Sequence, residues 1–420
     1  MTNKGLSTEP YKGMRDFYPE DMAIERYIFD VWSETAESFG FERYDAPILE
    51  PSELYKSKGA ENEEMVNQQT YTFTDRGERE VTMRPEMTPS VARMVAGRRR
   101  ELTYPVRWYS IPNLFRYERP QKGRLREHYQ LNCDIFGADH FSIDVEIIAL
   151  AYHTFLNFGA TPDMFEIRIN NRKEMSALYE SVGITDTQVQ TKITRLNDRF
   201  RKIEKDDYKN ELMEILKDKE LVKKVYALIS AEGVEASNEV LEGLKALGIK
   251  NVVVDRSLAR GFDYYTGTIF ELFDVSGENN RSMLGGGRYD NLTALFGGEP
   301  ITGIGFGMGD VTMRDFLTTH NLLTSGITAP TLMVLPTDPE FNMEAQRIAQ
   351  EFRAAGVSVC VDPTTKKVGR KISDAADAFV SYVLVLGENE MKSKTYSVKN
   401  LEEKSETSGT LAELVEKIST

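Results

Sequence analysis

Between Gly303 and Gly309 the chain reads Gly-Ile-Gly-Phe-Gly-Met-Gly, with glycine at every second position. Side chains of a β-strand alternate between its two faces. The segment is therefore a strand with one bare face, while Ile304, Phe306 and Met308 cover the other. A flat ring can lie against such a face. The spacing of two, with no βαβ unit after it, does not suit a dinucleotide-binding turn.

A second stretch, Val106–Gly137, reads as two strands joined by a basic loop. On the first strand Arg116 and Glu118 share a face. On the second, Gln130, Asn132 and Asp134 share one, and Leu131, Cys133 and Ile135 point the other way. The loop between them carries Arg119, Lys122, Arg124 and Arg126. A fixed arginine, an amide and a carboxylate beneath a cationic loop suit a polyanion held beside a small polar ligand, because the planar guanidinium donates two hydrogen bonds at once. The alternative is a surface hairpin with solvated charges.

At 420 residues, 40% hydrophobic and 28% charged, the chain has the composition of a soluble globular protein with two or three domains. No apolar run approaches the ~18 residues of a membrane span, and the first residues lack the apolar core of a secretion signal. Two distant cysteines, Cys133 and Cys360, and four histidines do not suit a structural zinc site and point to a reducing cytoplasmic compartment. A net charge of −14 argues against indiscriminate nucleic-acid binding. It leaves room for an RNA partner held through local basic strips.

The pattern predicts a helix over 21–40 with Ile24, Tyr27, Ile28, Val31 and Trp32 on one stripe, then a strand-like segment Arg43–Glu50 kinked at Pro47. Residues 172–248 are rich in Lys, Glu and Leu, with helical periodicity and no proline, and read as a compact helical insertion. Strands return at Val252–Val254, Tyr264–Phe273 and Gly303–Met308. Ser325–Pro330 reads as a linker. Beyond it strand and helix alternate: strands at Thr331–Leu335, Val357–Val361, Val380–Leu386 and Thr395–Val398, helices at 340–354 and 366–377, and a final helix Thr410–Ser419. That order predicts a small, mostly parallel sheet covered by helices.

Three further strings carry chemistry. Met83-Arg84-Pro85-Glu86-Met87-Thr88 opens a helix, where Glu86 and Thr88 either hold an ammonium group or cap the helix. Arg260-Gly261-Phe262-Asp263-Tyr264-Tyr265 either starts a strand with packed aromatics or places a cation beside two rings. Gly285-Gly286-Gly287-Arg288-Tyr289-Asp290 reads as a turn before a helix at Asn291–Phe296, or as backbone that a ligand approaches closely. Late in the chain, Lys366, Lys367, Arg370 and Lys371 start a helix, with Lys367 and Lys371 on one face.

Phe115-Arg116-Tyr117-Glu118, Arg119-Pro-Gln-Lys-Gly-Arg124 and Gln130–Asp134 together resemble motif 2 of class II aminoacyl-tRNA synthetases in its histidyl form. The resemblance extends over most of the chain. Arg43–Glu50 resembles motif 1, which builds the dimer interface in that family. Arg84–Thr88 resembles the element that holds the substrate's α-amino group. Arg260–Gly267 and Gly285–Asp290 resemble the two histidine-specific signatures, and Gly303–Asp310 resembles motif 3.

The fold so implied is α+β: an antiparallel-sheet catalytic domain over 1–326 with the helical insertion, then an α/β anticodon-binding domain over 329–420. The resemblance implies activation of L-histidine by ATP with Mg²⁺ and transfer to tRNA(His) by a cytoplasmic homodimer. Arg116 and Arg260 would stabilise the α-phosphate. Glu118, Arg124, Gly305 and Gly307 would complete the ATP site. Glu86, Met87, Thr88, Gln130, Asp134, Tyr264, Tyr265 and Tyr289 would form the histidine site, with Asp134 accepting an imidazole N–H. One departure stands out. Motif 3 ends in an arginine that stacks on adenine, and this chain has Thr312 there; either another cation substitutes, with Arg314 two residues on as one candidate, or ATP binds more weakly. That change also fits the alternative, a synthetase-like, histidine-sensing regulatory subunit of ATP phosphoribosyltransferase.

Overall fold

The glycine-alternating segment is a strand deep inside a sheet, in a computed structural model that describes residues 5–56, 69–231, 238–259, 264–279, 281–323 and 329–419. The chain divides into two units, Met1–Thr324 and Ser325–Thr420. Arg260 to Asp263 and linker residues 325–328 lie outside the described residues.

In the first unit the strands are β1 (Glu42–Arg43), β2 (Leu49–Pro51), β3 (Tyr71–Thr74), β4 (Glu80–Met83), β5 (Val106–Ser110), β6 (Asn113–Phe115), β7 (Glu127–Phe136), β8 (Phe165–Asn171), β9 (Val252–Val254), β10 (Thr268–Asp274), β11 (Ser282–Arg288) and β12 (Gly303–Gly309). Among the described residues, nine strands form one sheet in the order β1-β5-β7-β12-β11-β10-β8-β9, with β6 paired to the start of β7. The pairings are antiparallel except at the two margins, β1 with β5 and β8 with β9. β2, β4 and β3 make a separate antiparallel sheet.

The alternation on β7 and β12 sorts side chains as their period requires. Leu131, Cys133 and Ile135 join Ile304, Phe306 and Met308 in the main core. That core is closed by the helices Pro19–Ser38, Phe141–Asn157 and Asp310–Thr319. Ile28 and Trp32 of the first helix are fully buried, and the Trp32 indole N–H points at Met308 Sδ at 3.1 Å. A smaller cluster on other residues of these strands unites Val91, Ala92 and Val95 of the helix Thr88–Gly97 with Phe136, Tyr265 and Tyr289.

Several expected elements differ. The strand expected at Arg43–Glu50 splits, because Arg84 occupies the gap: its Nη1 donates to Asp45 Oδ1 at 2.8 Å and Ala46 O at 2.6 Å. The first strand of the hairpin is broken at Ile111-Pro112, where proline has no N–H for the ladder. Gly285 to Gly287 are not a turn but the interior of β11. A methyl group on Gly286 would lie 2.4 Å from Gly305 O, so close strand packing explains that glycine.

Helices Arg172–Ser181, Thr187–Asn197, Lys205–Leu216 and Lys219–Ile229 share a core of their own around Tyr179, Tyr208 and Leu212. The last helix of the expected insertion, Glu239–Ala246, instead sends Val240, Leu241 and Leu244 into the main core.

In the second unit β13 (Leu332–Pro336), β14 (Val359–Val361), β15 (Tyr382–Leu386), β16 (Tyr396–Asn400) and β17 (Glu406–Gly409) lie in the order β14-β13-β15-β16-β17. The first three are parallel and the last two antiparallel. Leu332, Val334 and Leu384 pack against Ile348, Phe352 and Leu414, while Leu335 and Val383 face Ala375 on the opposite side.

Lys371 is not on an exposed basic face. It is 1% exposed, and its ammonium donates to Pro336 O and Asp362 O, each at 2.9 Å. A buried donor removed from two carbonyls leaves both unsatisfied, at about 2–3 kcal/mol. Lys371→Met should therefore accelerate hydrogen exchange in Leu332–Pro336 and Tyr382–Leu386 by roughly 30-fold or more. Arg370→Met, at an exposed ion pair with Asp374, should change it by less than about threefold.

Candidate active site

A cavity of about 980 Å³ opens where β7, β11 and β12 meet the 119–126 loop. Of the expected site residues, Glu86, Thr88, Arg116, Glu118, Arg124, Gln130, Tyr264, Tyr265, Tyr289, Gly305 and Gly307 line it. Met87 and Asp134 are not among the lining residues.

The bare face of β12 is used by the protein's own side chains. A methyl group on Gly305 would lie 2.3 Å from Asp134 Oδ1, 2.6 Å from Cys133 O and 2.9 Å from the Tyr289 hydroxyl. One on Gly307 would lie 2.7 Å from the Gln130 amide carbon. In the space above Gly305 the Tyr289 hydroxyl donates to Asp134. Burial pushes the Asp134 carboxyl up to about 7, with the Tyr289 hydrogen bond opposing it. Burial, and then Asp134, push the Tyr289 phenol well up. Asp134 thus stands behind Tyr289, and it reaches the cavity through that hydroxyl.

One wall is aromatic. The Tyr264 ring lies 4.8 Å from that of Tyr265 and 5.9 Å from that of Tyr289, and its hydroxyl donates to Glu86 Oε2 at 3.1 Å. Glu86 does not cap the helix that follows. The N-cap is Met87, fully buried and without a side-chain cap bond. The Glu86 carboxylate is thus an acceptor at the cavity wall beside Gln130.

The lining also includes cations. Arg116 Nε donates to Pro85 O at 2.8 Å, and Arg124 pairs with Glu118 at 3.1 Å. Arg126 departs from expectation: it is buried, and it donates to Glu118 O, Tyr11 Oη and Lys12 O, with its guanidinium 4.0 Å from the Tyr117 ring centroid. It pins the 9–13 segment rather than meeting a ligand.

Arg314 also departs. It pairs with Asp21 of the first helix at 2.8 Å and is not among the lining residues. Its helix, Asp310–Thr319, is anchored by Asp310, which accepts from Arg15 and from Tyr129 N. That anchoring turns Arg314 toward the first helix.

Sequence reasoning missed three groups. Arg281, between β10 and β11, lines the cavity beside Thr312; no motif points to it. His128 lines it too, held neutral because burial, then Arg116 and Arg15, push its pKa down to about 3. On the rim stand Arg168 and the helical segment's Arg201 and Lys202, with Arg201 paired to Asp255 at 2.9 Å.

A family model described as histidyl-tRNA synthetase matches residues 13–310, and one described as anticodon binding domain matches 331–420. The histidine–tRNA ligase of Leptospira biflexa is 40% identical over 434 aligned positions, covering 100% of this chain and 99% of that protein. The histidine–tRNA ligase of Thermoplasma volcanium is 38% identical, with 98% of each covered. Among solved structures, histidyl-tRNA synthetase from Nostoc sp. has the same fold, at a TM-score of 0.78 and 22% identity over 99% of each chain.

Two outcomes test the geometry. Gly305→Ala should destabilise the protein by about 1–3 kcal/mol through overpacking. Gly97→Ala, at a helix end with open space around it, should cost nothing. Asp134 has a raised folded pKa, so its burial weakens the protein as pH climbs from about 4 to about 7 and no further above that. Asp134→Asn should gain stability relative to the parent across that window, on the order of 4 kcal/mol, in urea midpoints measured at each pH.

Proposed function

The chain belongs to the histidyl-tRNA synthetase family, joining histidine to tRNA with ATP, and we propose that the cavity beside Tyr289 is where it does so. What carries this reading is the convergence, in one cavity, of a tyrosine wall, the acceptors Glu86 and Gln130, and the cations Arg116 and Arg124.

In the proposed site the imidazole lies among Tyr264, Tyr265 and Tyr289. The Tyr289 hydroxyl donates its hydrogen bond to Asp134, so its oxygen presents lone pairs to an imidazole N–H. Asp134 acts through that phenol. Glu86, Gln130 and Thr88 receive the ammonium group, and buried Met87 fixes the turn that aims its neighbours.

The histidine carboxylate attacks the α-phosphorus, and pyrophosphate leaves with the electron pair of the broken P–O bond. A terminal ribose hydroxyl of the tRNA then attacks the acyl carbon, its proton passes to a phosphate oxygen, and AMP leaves with the electron pair of the broken C–O bond. No side chain needs to act as a nucleophile. Arg116 meets the charge that develops on the α-phosphate. Arg124 exchanges Glu118 for the outer phosphates. Arg260 is proposed beside Arg116 from its motif alone. Gly305 and Gly307 leave room for the Tyr289–Asp134 pair and for the Gln130 amide, against which the ligand would rest.

Mg²⁺ suits this site. It commonly uses one or two carboxylates together with substrate phosphates, and Glu118 and Glu271 both line the cavity. Bound there, it would neutralise phosphate charge. We further propose that residues 1–326 are the catalytic domain and 329–420 the unit that grips the anticodon. The protein would work as a cytoplasmic homodimer; no helix among the described residues is long and apolar enough to cross a membrane.

The test is histidine-dependent exchange of labelled pyrophosphate into ATP by the full-length protein, followed by charging of tRNA(His). Both should occur. Histidine binding without exchange or charging would favour the regulatory-subunit reading instead. Arg116→Ala and Arg260→Ala should each lower exchange turnover by roughly a hundredfold or more, with histidine affinity changed little. Near-normal turnover in either would remove that residue from the reaction.

A further inference from the structure

The geometry points to Arg281 as the residue that holds the base of ATP, in the room left beside the short Thr312 side chain. The inference rests on the proposed nucleotide site and adds to it a residue outside the recognised motifs.

Three segments meet at this point. A methyl group on Gly123 of the basic loop would lie 2.9 Å from Arg281 Cδ, 3.5 Å from its Nε and 3.6 Å from Thr312 Cγ2. Thr312 is held there, its hydroxyl 3.3 Å from Met283 O and 3.2 Å from Gly309 O. The first turn of the helix Asp310–Thr319 is thereby fixed against the start of β11, two residues past Arg281. Gly123 has a φ of +74°, which suits glycine, and its missing side chain leaves room for the Arg281 stem.

The strand β12 sets the order of the ligand. Gly305 adjoins Tyr289 and Asp134, Gly307 adjoins Gln130, and Gly309 adjoins Thr312. Four residues of strand span about 13 Å. A histidyl group among the tyrosines therefore places its phosphate midway and its adenosine at the Arg281 end. Val311, next to Thr312 in the cavity lining, is an apolar surface that suits a purine edge better than a phosphate. A planar guanidinium stacks on a purine face and is weakly hydrated, so it loses little on entering such a place. Burial, then Arg124, lower its hold on its proton, and Glu118 opposes them; a π face laid against the cation relieves part of that strain.

Histidine-dependent pyrophosphate exchange with the full-length protein tests the assignment. Arg281→Ala should raise the KM for ATP by roughly five- to thirtyfold, with kcat and the KM for histidine changed less than about twofold. Inhibition by adenosine should weaken by the same factor, and the KM for pyrophosphate should stay constant. Arg281→Lys, which keeps the charge but not the plane, should fall between the two. Adding Thr312→Arg to Arg281→Ala should recover most of the ATP affinity by restoring a guanidinium from the neighbouring backbone position. Calorimetric titration of adenosine into the folded variants gives the same comparison without turnover. An unchanged ATP KM, or weakened pyrophosphate with unchanged adenosine, overturns the assignment. A parent protein that binds adenosine through Arg281 yet performs no exchange would count against the catalytic reading and leave this contact standing.

Discussion

The hydrogen bond from Tyr289 to Asp134, made in the space above Gly305, is the contact on which the cleft depends. A carboxyl on a central strand of a nine-stranded sheet must be satisfied or neutral. A phenol from the end of β11 satisfies it only if the strand between them carries no side chain. Glycine at 305 is therefore a steric requirement that links β7, β12 and the residue after β11. The same bond fixes the phenol's proton and so decides which way its lone pairs face. On the other side of these strands, Leu131, Cys133 and Ile135 with Ile304, Phe306 and Met308 hold the backbone to the main core. The floor is thus packed into the core on one side and sculpted on the other.

Electrostatics follow a related logic. The chain carries a net charge of −14, yet five arginines line the cleft. Most have nearby carboxylates: Arg124 has Glu118, and Arg168 and Arg201 have Asp255. Pairing of this kind holds cations in place at low local charge, ready for an anion of higher charge to compete for them. A second group of charges does structural work. Arg15 bridges Asp310 and Glu25 beneath the first helix. Burial, then Asp310, push Glu25 up to about 7. These contacts fix where the helix after β12 begins, and they account for the outward turn of Arg314.

What could be read from the sequence follows from periodicity and from strings that act locally. The alternation on β7 and β12 assigned both faces correctly, because a one-residue slip would reverse every side chain. The helix stripe around Trp32 and the repeated strand-helix order after Pro330 were legible for the same reason. Three things were not. Gly285 to Gly287 look like a turn locally, but they sit in β11 because Phe306, Phe270 and the backbone at Gly305 approach closely. The second unit's Glu388–Ser393 helix and β17 carry too few apolar residues to announce themselves. Arg126 by its place in the basic loop, Arg314 by its place after the segment resembling motif 3, and Lys371 by helical spacing were each open to a ligand role. Their roles depend on partners that are 35 to 293 residues away, or on backbone carbonyls, which no local pattern encodes.

The burial of Lys371 changes what the second unit can offer an RNA. With its ammonium on Pro336 O and Asp362 O, it joins the end of β13 to the segment after β14. The basic cluster at that helix start is thereby reduced to Lys366, Lys367 and Arg370, and Asp374 pairs with both Lys366 and Arg370. A phosphate that came here would have to compete with Asp374, so few counterions would be released and the contact would add only a shallow salt dependence. Recognition in this unit then has to rest more on shape and on base-directed hydrogen bonds than on charge. For a chain of this net charge, that arrangement limits binding to other nucleic acids.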